Sequence, residues 1–485
     1  MKVKKLILLF ILFVLIFFPN CSKPTRTDLK VQEDIEYFKT IFENCYVFYD
    51  ELYEKKPFKI DIKKLFKNYK KAEKKFKEEK ITKNIENGIS QEALMNTILW
   101  FLKRLEPEDN HLCLYTNDSH YFISDMLYLY SSNYYFNKIG DDFILSNSPE
   151  KKLIGSKFTG NYEDIKKTVK DKQEIYLFAP TLKTYEQKEG TILLDGKEYK
   201  IPLQMEDHEN NREDVIKILN TNETLYIKCN TFNIVEGSEE EMNFETGLDE
   251  IKKRLENKKY IILDLRGNTG GYTYYSQELI AAIYGIGDDE LEKNRIIEFL
   301  DTADYGIEYL QSELLFKMNY ERLIQDKFPQ EYIDRARNEY EDFINSGKQR
   351  GLVKSTAEPS RLPEFKGKKQ NAKIIVLTDY ITASASEYCI GYLYMMDKNN
   401  VILAGYNTAG TMAGGGVFKY ELPNSKVEVK LCCASNKKTV IYKFIDSWKG
   451  DNNGFYPDYW VMNNNFAGTV IYLTNDKDLN SIIPE

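Results

Sequence analysis

Histidine is scarce in this 485-residue chain: only His111, His120 and His208 occur. Its seven cysteines, Cys21, Cys45, Cys113, Cys229, Cys389, Cys432 and Cys433, include no CxxC pair. Those two absences exclude the short-spaced zinc frameworks and the thiol–disulfide redox motif, and no metal or organic cofactor is expected. Excess positive charge is also missing. Lys and Arg number 67 against 75 Asp and Glu, a net charge of -8, with both signs interleaved. A nucleic-acid partner normally requires clustered positive charge, so none is expected. Internal repeats and low-complexity tracts are absent. The long apolar run Leu6–Phe18 spans 13 residues, short of the roughly 20 that a membrane-crossing helix needs.

What is present reads as a globular chain of several domains, 42% apolar and 29% charged. Lys2, Lys4 and Lys5 precede the Leu6–Phe18 run, and Cys21 follows it, ahead of a polar stretch from Ser22 to Leu29. A charged start and a short apolar core form the pattern of an export signal. The cysteine just beyond it resembles the lipidated residue of bacterial lipoproteins. Residues 1–21 are therefore expected to be a signal peptide ending at a lipidation site, Cys21, that anchors an exported protein to a membrane surface. The remaining cysteines mostly lie among apolar or aromatic residues and read as buried thiols.

Helical periodicity predicts an N-terminal domain over residues 27–120, with helices over Asp28–Tyr53, Lys63–Lys80 and Gln91–Leu105. From 121 to 206 short strands and turns take over, including a hairpin turning at Asp195-Gly196. A strand-turn-helix rhythm over Leu153–Val169 gives this module a degenerate PDZ-like look. Beyond residue 215 the chain alternates apolar strands (Leu225–Lys228, Lys259–Asp264, Lys373–Thr378, Val401–Gly405) with helices (Leu248–Lys258, Tyr275–Tyr284, Ser384–Met396). This is the rhythm of a layered α/β domain over 215–485. A charged, helix-rich insertion over 285–370 is too long for a bare loop.

Two segments carry the chemistry. In Tyr260–Gly271 an apolar strand runs into a turn with three glycines, which lets backbone N–H groups converge on a developing oxyanion. It lacks the GxGxxG spacing of a dinucleotide site and the lysine of a phosphate loop. In Lys373–Glu387 a strand gives way to a helix starting at Ser384, where negative charge is favoured. Ser384 with Glu387 three residues on also forms a capping box, which needs no catalysis.

Taken together, Asp264–Gly271 (DLRGNTGG), Thr382–Glu387 (TASASE), Gly405 with Thr408–Gly410, and Gly454–Asp458 (GFYPD) resemble the carboxyl-terminal processing (tail-specific) serine peptidases, including the tricorn protease core, over roughly 227–461. The resemblance implies a crotonase/ClpP-like α/β core, a protein or peptide substrate, Ser384 as nucleophile, and an oxyanion hole from the Ala385 N–H with Gly270 or Gly271. The processing branch places a lysine base where this chain reads Thr408–Gly415, which contains none. The tricorn-like branch uses a histidine in a D-x-H pattern after helices, and Asp109-Asn110-His111 stands at that place. His111 is thus the expected base, Asp451 the expected third member, and Asp109 and Glu387 its rivals. The same fold also serves retinoid-binding relatives, so a non-catalytic binding lipoprotein is the alternative. The anchor is tested directly: metabolic labelling with a radioactive fatty acid should mark the full-length protein and not Cys21→Ala, and equal labelling of both overturns the lipidation.

Overall fold

The computed structural model describes residues 24–483 apart from 80–83, 117–119, 124–126, 184–186, 207–213, 285–289, 326, 328 and 368–369. Cys21 and His208 lie outside the described residues. The N-terminal region is helical, as expected: Arg26–Cys45, Tyr49–Lys55, Ile62–Glu78 and Gln91–Leu102. The single helix predicted over Asp28–Tyr53 is broken at Tyr46, whose backbone is extended. Burial of the 45–48 link explains the break, since Cys45, Tyr46, Val47 and Phe48 all sink into the core and the Val47 N–H donates to the Cys432 carbonyl at 2.9 Å.

The α/β core is built on strands Thr224–Cys229, Tyr260–Asp264, Lys373–Thr378 and Val401–Gly405, paired in parallel in that order. Their runs of Ile, Leu and Val are buried on both faces, as parallel strands between helical layers must be. Helices Glu239–Arg254, Thr273–Ile283 and Ala385–Asp397 supply much of that covering. The core sheet does not end there. It passes through Tyr459–Trp460 to strands Ile165–Lys170, Gln173–Phe178, Tyr135–Ile139 and Asp142–Asn147, and with Ile216–Asn220 antiparallel on its other edge it has ten strands. The β-rich region of 121–206 therefore extends the core sheet. Its expected hairpin, Glu189–Leu194 with Lys197–Pro202, is present. The helix expected within Leu153–Val169 is not: short 3₁₀ turns at Lys151–Leu153 and Tyr162–Asp164 lead into the strand Ile165–Lys170, so the PDZ-like likeness rests on strands alone. β-branched Ile165, Thr168 and Val169 favour that strand.

A second sheet joins segments far apart in sequence. Strand Glu428–Ser435 pairs with Gly414–Glu421, with Glu308–Gln311 and with Cys113–Tyr115. The 285–370 insertion thus combines helices (Glu290–Asp301, Glu313–Gln325, Gln330–Asn345) with two strands, Glu308–Gln311 and Gly351–Lys354, that complete this sheet. No helix among the described residues is long and apolar enough to cross a membrane.

The turn after Tyr260–Asp264 is set by a buried ion network. Asp264, fully buried, accepts from the Arg266 backbone N–H at 3.0 Å, from Arg266 Nε at 2.9 Å and Nη2 at 2.6 Å, from Lys228 Nζ at 3.2 Å and from the Tyr226 hydroxyl at 2.7 Å. Burial alone would raise the carboxyl's pKa, but the Arg266 and Lys228 charges outweigh it and hold the group well below the usual carboxylate range. Removing one partner strands a buried charge, so Arg266→Met should destabilise the protein by about 3–5 kcal/mol, read as a lowered denaturant midpoint. A change below about 1 kcal/mol would mean that solvent reaches the network.

Candidate active site

Ser384 sits between the strand Lys373–Thr378 and the helix Ala385–Asp397 with φ 54° and ψ −118°. Such a conformation costs a non-glycine residue about 1–3 kcal/mol and persists only where surroundings enforce it. Here the Ser384 N–H donates to Glu387 Oε2 at 3.1 Å and to Thr411 Oγ1 at 2.6 Å. Glu387, fully buried, also accepts from Thr408 Oγ1 at 2.5 Å, the Gly410 N–H at 2.8 Å, and the Thr411 N–H and Oγ1, both at 2.8 Å. Burial pushes the Glu387 carboxyl above its ordinary pKa against the pull of those hydrogen bonds. The anticipated Glu387–Ser384 capping contact therefore exists, and its carboxylate ties the Ser384 backbone to the 408–411 loop.

Ser384 Oγ itself faces His111 Nε2 at 3.3 Å, across 273 residues of chain. The D-x-H loop follows the helix Gln91–Leu102 and leads into the strand Cys113–Tyr115 of the second sheet. The Asn110 side chain pins it by donating to the Ala409 and Gly410 carbonyls at 2.9 and 2.7 Å. Nothing in the sequence pattern singled out Asn110, because its role exists only when the two loops meet. His120 pairs through its backbone with Tyr115, one strand away.

The carboxylate beside the imidazole is Asp109. Its Oδ1 lies 3.3 Å from His111 Nδ1 and accepts the His111 backbone N–H at 2.9 Å. The Nδ1 contact has ion-pair distance without hydrogen-bond alignment, and Nδ1 has no hydrogen-bond partner among the described residues. Asp451, the expected third member, is placed otherwise. Its carboxylate receives the Ala413 N–H at 2.9 and 3.2 Å, and it makes no ion pair with His111. Burial, then the neighbouring Asp109 charge, pushes the Asp451 carboxyl well above the ordinary range. An acid held toward its neutral form is poorly suited to stabilise an imidazolium.

The glycine turn packs directly on Ser384. The Ala383 N–H and Ser386 Oγ donate to the Asn268 carbonyl at 3.0 and 3.1 Å, while Asp379 binds the Gly267 N–H at 2.8 Å and the Thr382 N–H at 2.9 Å. Gly270, at φ +91°, leaves no room for a side chain: a Cβ there would lie 2.8 Å from Ser384 Cβ. Of the three expected oxyanion donors, Gly270 is occupied, because its N–H donates to Asn268 Oδ1 at 2.9 Å. The Gly271 and Ala385 N–H groups have no acceptor among the described residues. Lys398 and Lys419, the lysines nearest Ser384 in the sequence downstream, pair with Asp446 and Glu428 at the surface. Thr408 and Gly454–Asp458 are structural here: Thr408 Oγ1 accepts the Phe455 N–H at 2.8 Å and Asp458 accepts the Leu403 N–H at 2.9 Å.

A serine at a strained strand-to-helix junction with a histidine within reach of its oxygen is the arrangement of a serine-type peptidase. Residues 223–435 match the family model described as Peptidase family S41. Solved structures similar to the chain include mature CPAF complexed with lactacystin (11% identity, 94% of this chain and 98% of that one, TM-score 0.41). They also include the photosystem II D1 C-terminal processing protease (12%, 93% and 97%, TM-score 0.34) and a putative peptidase from Parabacteroides merdae (15%, 96% and 100%, TM-score 0.34). At these scores the assignment rests on the family model. No curated protein matches the chain.

Asp451→Asn separates the two carboxylates. A group whose folded pKa is raised contributes stability at low pH that is lost as pH rises through the folded value. Asp451→Asn removes that loss, so its melting temperature should gain on the wild type as pH increases from about 4, the ordinary carboxylate range. Labelling of Ser384 by a fluorophosphonate should persist. Loss of labelling with an unchanged pH–stability profile would return Asp451 to the catalytic set.

Proposed function

We propose that this protein is an exported, lipid-anchored serine endopeptidase in which Ser384 attacks the scissile carbonyl and His111 is the general base. The observation that carries the reading is the 3.3 Å approach of His111 Nε2 to Ser384 Oγ. Such contacts are often long without substrate and tighten in the reacting complex. Nε2 takes the Ser384 proton as Oγ attacks, then returns it to the leaving amine. The Gly271 and Ala385 N–H groups receive the oxyanion. Asp109 stands in the orienting role that favours a proton on Nδ1 and leaves Nε2 free to accept. The absence of a lysine from the 408–415 stretch and the surface pairing of Lys398 and Lys419 favour this Ser/His arrangement over a Ser/Lys pair. The charged start, short apolar run and Cys21 support export and attachment to a membrane surface.

Ser384→Ala should abolish fluorophosphonate labelling, and His111→Ala should slow peptide hydrolysis by about 10²–10⁴ while leaving thermal unfolding intact. Undiminished hydrolysis by His111→Ala removes the base assignment. Absent labelling of the wild type would favour a binding lipoprotein instead.

A further inference from the structure

His111 lies beside two other side chains, both buried. One carboxylate oxygen of Asp109, a ring nitrogen of His111 and Sγ of Cys432 all lie within 4.8 Å of one another. Asp109 Oδ1 is 3.3 Å from His111 Nδ1 and 3.8 Å from Cys432 Sγ. Ligands bound tetrahedrally at about 2.0–2.3 Å stand some 3.3–3.8 Å apart, so these separations already suit one small cation. Asp109 is 2% exposed, yet its Oδ2 has no hydrogen-bond partner among the described residues, and neither has His111 Nδ1. Buried polar atoms without partners beside this cluster leave coordinating capacity that a cation could take up. Gly414 keeps that place open: a Cβ there would lie 2.5 Å from Cys432 Sγ and 2.9 Å from Asp109 Oδ1. A small cavity reaches Asp109 from the surface past Tyr46, Glu51, Glu106 and Glu108, with Lys437 paired to Glu51 and Glu108.

We propose that Asp109, His111 Nδ1 and Cys432 form a site for a thiophilic divalent cation, zinc(II) by its donor set, whose occupancy switches off the adjacent Ser384–His111 pair. One thiolate, one imidazole and one carboxylate select zinc-like ions over magnesium or calcium, which prefer oxygen alone. Without a cation, burial keeps the Cys432 thiol protonated. Coordination releases that proton to solvent and leaves the thiolate on the metal. A neutral imidazole carries one N–H. A metal on Nδ1 therefore fixes that proton on Nε2, which then donates to Ser384 Oγ and cannot take its proton. The inhibitory arm rests on His111 being the base; the binding arm does not.

The test uses the full chain stripped by a chelator and then titrated with zinc(II) against a chromophoric competitor, and separately with cobalt(II). The wild type should bind one zinc per chain and give a cobalt–thiolate charge-transfer band. Cys432→Ala should lose the band and bind zinc more than about tenfold more weakly. Zinc should suppress fluorophosphonate labelling of Ser384, and excess chelator should restore it. Each protein is compared with its own metal-free rate. Absence of the cobalt band in the wild type overturns the site, whether or not the variant folds, and leaves metal-free labelling as an independent check on the peptidase reading. Zinc bound with the band present but labelling undiminished overturns the switch and counts against His111 as base. Suppression that persists equally in Cys432→Ala places the inhibition elsewhere and also overturns the proposal.

Discussion

The positive φ of Ser384 is the constraint on which the rest of the site depends. That backbone state, costing about 1–3 kcal/mol, aims Oγ out of the helix start and toward His111. It is enforced by Glu387, a buried carboxylate that joins Ser384 to Thr408, Gly410 and Thr411. The 408–411 loop is in turn held by Gly454–Phe455, since Thr408 exchanges hydrogen bonds with Phe455. On the opposite side Asp379 and Asn268 stitch the glycine turn to the 379–386 segment. One unfavourable torsion is thus supported by three loops, each of which carries a short glycine- or threonine-rich sequence for that reason.

The two sheets divide the labour. The parallel core sheet delivers Ser384 and the glycine turn, while the second sheet carries the loop with Asp109 and His111. Their junction gathers three carboxylates, Asp109, Glu387 and Asp451, at low exposure. In such surroundings carboxyls move toward their neutral forms unless a cation or N–H groups compensate. Glu387 and Asp451 show that movement, and the cluster at Asp109 leaves polar atoms unpaired. The same electrostatic circumstance therefore bears on both the orientation of the imidazole and the attraction of a cation.

Much of the fold was legible along the chain. The apolar strands at 373–378 and 401–405 have the predicted bounds. The junction at Ser384 and the glycine turn were readable because local torsions demand those residue types. The 153–169 helix was not, since a weak local rhythm yielded to strand pairing with Gln173–Phe178. Nor did the sequence separate Asp109 from Asp451, because both are acidic residues beside glycine- or asparagine-rich turns and only packing decides which one reaches the imidazole.

By itself, the sequence determined the strand–turn–helix elements, the serine, the D-x-H histidine and the lack of a nearby lysine, all of which are consequences of local pattern. Tertiary structure decided which of these groups meet. Asp109 and Cys432 stand 323 residues apart, and Asn110 finds its acceptors only when the second sheet closes over the core. A chain with no short-spaced zinc motif nonetheless assembles a Cys/His/Asp cluster, because ligand geometry is a property of space, to which spacing along the chain is only one route.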